Sequence, residues 1–231
     1  MATLFIVATP IGNLGDVSPR ALETLSSVDM VAAEDTRQTL KLLTHFGIRV
    51  RLLSCRAQNE ERAAVKIVKA LDEGKNIAYT SDAGSPALSD PGALLVSKAA
   101  EAGHTVVPIP GPSAFAALVS VSGAFDKSVV FEGFLSPKAG RRRSRLQELL
   151  AAESAFVLYE SPHRIVKLFS DLAEFESERY VCVGREMTKL HEEYMRGSAA
   201  EVYALLAGKE EQRGEFSVYV SGKRRKAFLK L

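Results

Sequence analysis

Five short aliphatic runs recur through the first half of the chain: Leu4–Ala8, Met30–Ala33, Val50–Leu53, Ile77–Tyr79 and Thr105–Ile109. Turn residues bound most of them, the pattern of buried strands. Helical patterns fill the gaps. Pro19–Ser26 follows Ser18, an N-cap with Pro at the first helical position. Thr36–Phe46 ends at Gly47 and Pro91–Ala102 at Gly103. Asn59–Glu73 repeats apolar residues at Ala63, Ile67, Ala70 and Leu71 and stops at Gly74. Alternation of this kind restricts the first half to a mainly parallel sheet with helices on both faces.

Past Gly123 the pattern changes. Val129–Phe134, Ala155–Tyr159, Tyr180–Gly184, Glu193–Arg196 and Phe216–Val220 read as strands, several with an alternation that predicts one solvated face. Helices are expected over Arg141–Ala152, His163–Phe175 and Ser198–Ala207. No helix separates the strands around Val183 and Tyr194, so an antiparallel pair and an α+β domain follow. The expected division is 1–123 and 124–231. The length of 231 residues accommodates two such domains.

A net charge of +2 gives no global basic field, so any nucleic-acid contact must be local. Two basic runs qualify: Lys138–Arg145, with Arg141, Arg142, Arg143 and Arg145, and the tail with Lys223, Arg224, Arg225, Lys226 and Lys230. Cys55 and Cys182 are far apart and the four histidines show no ligand spacing, so neither a disulfide framework nor a metal site is expected. The uncharged apolar run near the N-terminus is too short for a signal peptide. The stretch from Ala102 to Phe125 is interrupted by Pro108, Pro110, Pro112, Gly103, Gly111 and Gly123. Its longest helix-compatible piece, Ser113–Ser122, is about ten residues, too short to span a bilayer. A cytoplasmic protein is expected.

Ligands of open parallel sheets bind outside the carboxyl ends of the strands. After the first strand comes Thr9-Pro10-Ile11-Gly12-Asn13-Leu14-Gly15-Asp16, either a plain connector or a close approach to ligand through Gly12 and Gly15. After the second comes Glu34-Asp35-Thr36-Arg37. Asp35 there reads as a helix cap paired with Arg37, a functional acid, or both. After the fourth comes Ser81-Asp82-Ala83-Gly84-Ser85-Pro86-Ala87-Leu88-Ser89-Asp90-Pro91-Gly92, longer than ordinary connections and dense in small residues. After the fifth comes Pro110-Gly111-Pro112-Ser113-Ala114, opening a helix of small residues. No Gly-x-Gly-x-x-Gly, Walker loop or Ser-His-Asp elbow is present, which argues against a nicotinamide enzyme and the usual methyltransferase fold.

These loops, in this order, resemble those of the ribosomal RNA small subunit methyltransferase I family, within the tetrapyrrole-methylase superfamily. The likeness continues through Glu132-Gly133-Phe134-Leu135, Glu160-Ser161-Pro162-His163-Arg164 and Arg185-Glu186-Met187-Thr188-Lys189 with Glu192-Glu193, so it runs from about Ala2 to Ser221. Two departures stand out: Gly133-Phe134-Leu135-Ser136-Pro137 replaces the family's Gly-Phe-Leu-Pro, and the chain ends in a short basic tail instead of a longer extension. The resemblance implies an α/β fold of two domains, a parallel N-terminal and a mixed C-terminal sheet, with S-adenosylmethionine in the cleft. It implies 2′-O-methylation of a decoding-centre cytidine in 16S ribosomal RNA by a homodimer. The competing readings are a small-molecule tetrapyrrole methyltransferase of the same fold and a non-catalytic RNA-binding protein.

On this reading the donor is expected against Pro10, Gly12, Asn13, Ala83, Gly84, Ser85, Leu88, Asp90, Ser113 and Ala114, with Phe134 and Glu160 from the second domain. The protein must align a ribose hydroxyl with an already activated methyl group. A nearby base would help, and Asp35, Asp82, Glu186 and Lys189 are the candidates, unranked. Arg37, Lys138, Arg141, Arg142, Arg143, His163 and Arg164 are expected to meet RNA, and Arg185 to hold a phosphate or orient a carboxylate.

Overall fold

The computed structural model describes residues 2–123 and 126–222. Backbone contacts divide the chain into two units, one running to Ser113 and the other starting at Ala114. Helix α5 (Ala114–Val121) therefore groups with the second unit, ahead of the division expected at Gly123.

The first unit carries β1 (Thr3–Val7), β2 (Met30–Ala33), β3 (Arg51–Ser54), β4 (Ile77–Thr80) and β5 (Thr105–Ile109) in the order β3-β2-β4-β1-β5. Every pairing is parallel. The connecting helices are α1 (Pro19–Ser27), α2 (Thr36–His45), α3 (Glu60–Asp72) and α4 (Ala93–Glu101). Strand periodicity sorts them onto opposite faces. Leu4, Ile77 and Tyr79 pack with Ala63, Ile67 and Leu71 of α3 and Leu95 and Ala99 of α4. Val7, Val31 and Ala78 pack with Ala21 and Leu25 of α1 and Leu42 and Leu43 of α2. The chain thus leaves β1 and β2 toward one face and β4, lying between them, toward the other. That reversal at the carboxyl ends opens the crevice in which ligands of such sheets bind.

The second unit carries β6 (Val129–Phe134), β7 (Ala155–Glu160), β8 (Tyr180–Arg185), β9 (Glu193–Ser198) and β10 (Phe216–Val220) in the order β6-β7-β10-β8-β9. Among the described residues only β6 and β7 are parallel; β8 and β9 form the expected antiparallel pair. Helices α6 (Ala139–Ala151), α7 (Ile165–Glu176) and α8 (Ala199–Ala207) cover one face through Leu146, Leu168 and Val202. The expected solvated face is not found on the central strands. Leu118 of α5 packs on Ala155, Val157, Cys182 and Tyr219, so β7, β8 and β10 are covered on both sides. Alternation in these strands distinguishes two cores rather than core and water.

Helices and strands keep the places that the sequence pattern gives them, with ends shifted by no more than two residues. Caps explain the limits. Ser18 accepts from the Ala21 amide, and Ser198 and Glu201 form a reciprocal capping box. Helix α4 starts at Gly92, which has no side chain to cap it; Glu60 of α3 accepts from the Gly92 amide at 2.9 Å instead. No helix among the described residues is long and apolar enough to cross a membrane.

Candidate active site

In the first unit the loops after β1 and β4 are clamped together. Thr9 and Gly84 exchange backbone hydrogen bonds at 2.9 and 3.0 Å. Gly84 has a φ of +74° and a Cβ there would lie 3.4 Å from Ile11, so glycine suits both the turn and the close approach. The rest of the loop is strained: Ala87 and Ser89 hold φ values of +65° and +67°. Asn13 caps a short 3-10 turn over Leu14–Asp16 that the sequence pattern did not reveal, and its side chain accepts from Gly15.

The acids of the β2 and β4 loops interlock. Asp82 Oδ1 accepts from the Asp35 amide at 3.0 Å, and the Asp82 amide donates to Glu34 Oε2 at 3.2 Å. Asp35 both caps α2 and pairs with Arg37 at 2.6 Å. The Arg37 guanidinium holds the Asp35 carboxyl well below the usual range. Burial pushes Glu34 up, reinforced by the negative charge of Asp82, Asp90 and Asp35 and opposed by the hydrogen bond from Asp82. Burial also raises Asp90, against a hydrogen bond from Ser81. Glu34 joins this cluster although the sequence pattern did not single it out; its place directly before Asp35 was the available signal.

A pocket of about 280 Å³ opens beside these acids. The β1 loop (Thr9, Pro10, Leu14), helix α2 (Gln38, Thr39, Lys41, Leu42) and the start of the β4 loop (Ser81, Asp82) line it. Gln38 and Lys41 were not picked out from the sequence, since an exposed polar pair on a helix carries no distinctive pattern. Ala83, Gly84, Ser85, Leu88 and Asp90 lie further along the β4 loop, and Gly12 and Asn13 are exposed in the β1 loop. Ser113 closes the first unit and Ala114 opens α5 in the second.

In the second unit the carboxyl ends of β6, β7 and β8 share one edge of the sheet, with Phe216 paired between Glu160 and Arg185. Phe134 is exposed there, edge-on to Tyr159. Glu160 is buried; its Oε1 accepts from the Ser161 amide and forms an ion pair with Arg164, both at 2.7 Å, and its Oε2 has no hydrogen-bond partner among the described residues. A buried carboxylate oxygen left open is an acceptor that a ligand hydroxyl or ammonium satisfies. His163 is exposed in the turn before α7. Arg185 donates to the Arg213 carbonyl and pairs with Glu193.

Glu186 and Thr188 take left-handed φ values of +49° and +66°. Lys189 Nζ lies 2.9 Å from Glu186 and 3.0 Å from Glu215. Burial would raise Glu186, but the Lys189 hydrogen bond and charge outweigh it and leave the carboxyl below its usual range. Burial likewise opposes the Lys189 charge, and the two glutamates outweigh that and raise it. An ammonium has no free lone pair, so the two carboxylates that hold the Lys189 charge oppose a role as a base.

The arginines of the basic run differ in their surroundings. Arg142 is buried, with Nε and a terminal nitrogen each 3.0 Å from Asp171. Arg143 pairs with Asp171 and Glu174, both at 2.5 Å, and stacks on Phe175. Arg145 bonds Glu132 and Glu148. Arg142 is thus committed to an internal ion pair and is not open at the surface. Lys138 and Arg141 are exposed at the start of α6 and make no ion pair among the described residues. The C-terminal basic tail lies outside the described residues.

A fold of one parallel and one mixed sheet, with glycine- and acid-bearing loops at the parallel strands' carboxyl ends, defines a class. The model of the tetrapyrrole (corrin/porphyrin) methylases matches residues 3–203, and the chain belongs to that family, whose members depend on S-adenosylmethionine. Its near relatives within the family are more specific. The ribosomal RNA small subunit methyltransferase I of Xylella fastidiosa is 49% identical over 95% of this chain and 81% of that protein. The protein of the same name from Borrelia garinii is 45% identical over 94% of this chain and 98% of its own length. Among solved structures, the uroporphyrin-III C-methyltransferase of Thermus thermophilus superposes with a TM-score of 0.67 over 95% of this chain and 94% of that one. At 17% identity that likeness speaks for the fold alone.

Proposed function

We propose that this chain transfers the methyl group of S-adenosylmethionine to the ribose 2′-hydroxyl of a decoding-centre cytidine in 16S ribosomal RNA, as a homodimer in the cytoplasm. The observation that carries this reading is the identity of 45–49%, over nearly the whole chain, with proteins named for small-subunit ribosomal RNA methylation.

The donor brings a methyl group already activated on a sulfonium; the protein's share is binding, alignment and one proton. The loops at Pro10–Asn13 and Ala83–Asp90, with Ser113, Ala114 and Phe134, are the proposed donor contacts. Their small side chains leave backbone groups open, and the unpartnered Glu160 Oε2 supplies an acceptor. Of the four candidate bases, Asp82 fits best. Asp35 is weakened by Arg37, Glu186 is held by Lys189, and Lys189 is itself paired. Asp82 is exposed and, among the described residues, its side chain commits only Oδ1, to the Asp35 amide. Its other oxygen takes the proton as the ribose oxygen bonds the methyl carbon and the carbon–sulfur bond breaks. Lys138, Arg141 and His163 are the proposed RNA contacts, with Arg37 and Arg164 offering the N–H groups that Asp35 and Glu160 leave open.

Deleting the gene in its host and mapping ribose methylation on small-subunit RNA tests this. One decoding-centre cytidine should lose its 2′-O-methyl group and regain it on complementation. An unchanged methylation map would overturn the reading.

A further inference from the structure

The pocket between the β1 loop and α2 meets the proposed donor contacts at Pro10, and it is lined by no residue from Ala83 to Asp90; Ser81 and Asp82 form its edge on the β4 side. Three features give it a chemistry. Leu14 and Leu42 supply apolar surface. Thr9, itself buried, keeps its hydroxyl without a partner among the described residues. Gln38 and Lys41, 3.2 Å apart, are exposed and make no other side-chain hydrogen bond or ion pair among the described residues.

Resting on the function proposed above, we infer that this pocket receives the base of the acceptor nucleotide. A side-chain amide offers one acceptor and two donors, the complement of the N4 amino group and N3 of cytosine. Gln38 supplies that amide, and Thr9 satisfies its hydroxyl on the remaining edge of the ring. Leu14 and Leu42 take the ring faces, and Lys41 meets the nucleotide's phosphate. The volume of about 280 Å³, at the low end of small-molecule sites, suits one flipped-out pyrimidine rather than a stacked pair. The ribose then lies at the rim beside Asp82, where the proton must leave.

Two measurements on the full chain test this together. Calorimetry and NMR with cytidine 5′-monophosphate should show binding that shifts the Gln38 side-chain amide and is weakened tenfold or more in Gln38→Ala and Lys41→Ala. With small ribosomal subunits and labelled donor, the same variants should raise KM for subunits about tenfold with donor affinity unchanged. Thr9→Val should raise KM and also raise the melting temperature, because an isosteric methyl replaces an unsatisfied buried hydroxyl; a merely structural threonine would not move KM. Wild-type protein that methylates RNA while the variants keep its KM and the nucleotide leaves Gln38 unshifted overturns the inference and leaves the function standing. Nucleotide binding at Gln38 without methyl transfer to RNA has the opposite meaning. Loss of donor affinity in the Gln38 and Lys41 variants would assign the pocket to the donor and also overturn the inference.

Discussion

Asp82 accepts the backbone N–H of Asp35 at 3.0 Å. With the return bond from the Asp82 amide to Glu34, this contact locks the loops after β2 and β4 into one acidic unit. Three carboxylates are gathered there at the carboxyl ends of adjacent strands, and each has a different partner.

Glu34 contributes one pH dependence to that unit. Its folded-state affinity for a proton is raised, chiefly by burial, so its contribution to stability is fully present below the unfolded value, roughly pH 4.3, and is lost as the pH rises through the folded value. Above that window the folded state holds a half-buried charge that Gln does not carry, while Gln keeps the acceptor for Asp82. Glu34→Gln should raise the melting temperature at pH 7.5 by about 1–2 °C. The gain should vanish near pH 4, and a gain independent of pH would contradict the assignment.

Arg142 and Arg141 are neighbours with opposite roles. Removing Arg142 leaves Asp171 buried with half its partners, and Arg142→Ala should cost about 3–5 kcal/mol in denaturant unfolding. Arg141→Ala should leave stability within about 0.5 kcal/mol. It should weaken RNA binding and flatten its salt dependence by up to about 0.7 log units per log salt for one single-strand phosphate contact. Equal effects of the two substitutions on stability would refute the distinction.

Gly92 starts α4 with a φ of +131°, and a Cβ there would sit 2.6 Å from the buried Tyr79 ring. Gly92→Ala should therefore cost about 1–3 kcal/mol and disturb the strained loop ahead of it. Calorimetry should show weaker S-adenosylmethionine binding in a protein whose circular dichroism is unchanged.

Much of this was legible in the sequence because strands and helices announce themselves by period. The 13-residue α3 shows its apolar stripe, and Ser18 and Ser198 mark helix starts in the letters alone. The loops were legible as a set, through the order of Thr9–Asp16, Glu34–Arg37 and Ser81–Gly92. What the letters could not give was pairing across the chain. Arg142 and Asp171 are 29 residues apart, so a run of arginines read as a phosphate grip hides an internal ion pair. Tyr219 alternates with Val218 and Val220 as a half-exposed strand would, and only the packing of Leu118 on it shows a second core. Gln38 and Lys41 gain meaning only beside Thr9 and Leu14.

The most direct test of the account is transfer of a labelled methyl group from S-adenosylmethionine to purified small ribosomal subunits, followed by digestion to nucleosides. Label should appear in 2′-O-methylcytidine and should be lost, with donor binding retained, in Asp82→Asn. Label in a base-methylated nucleoside, or none in RNA, would contradict it.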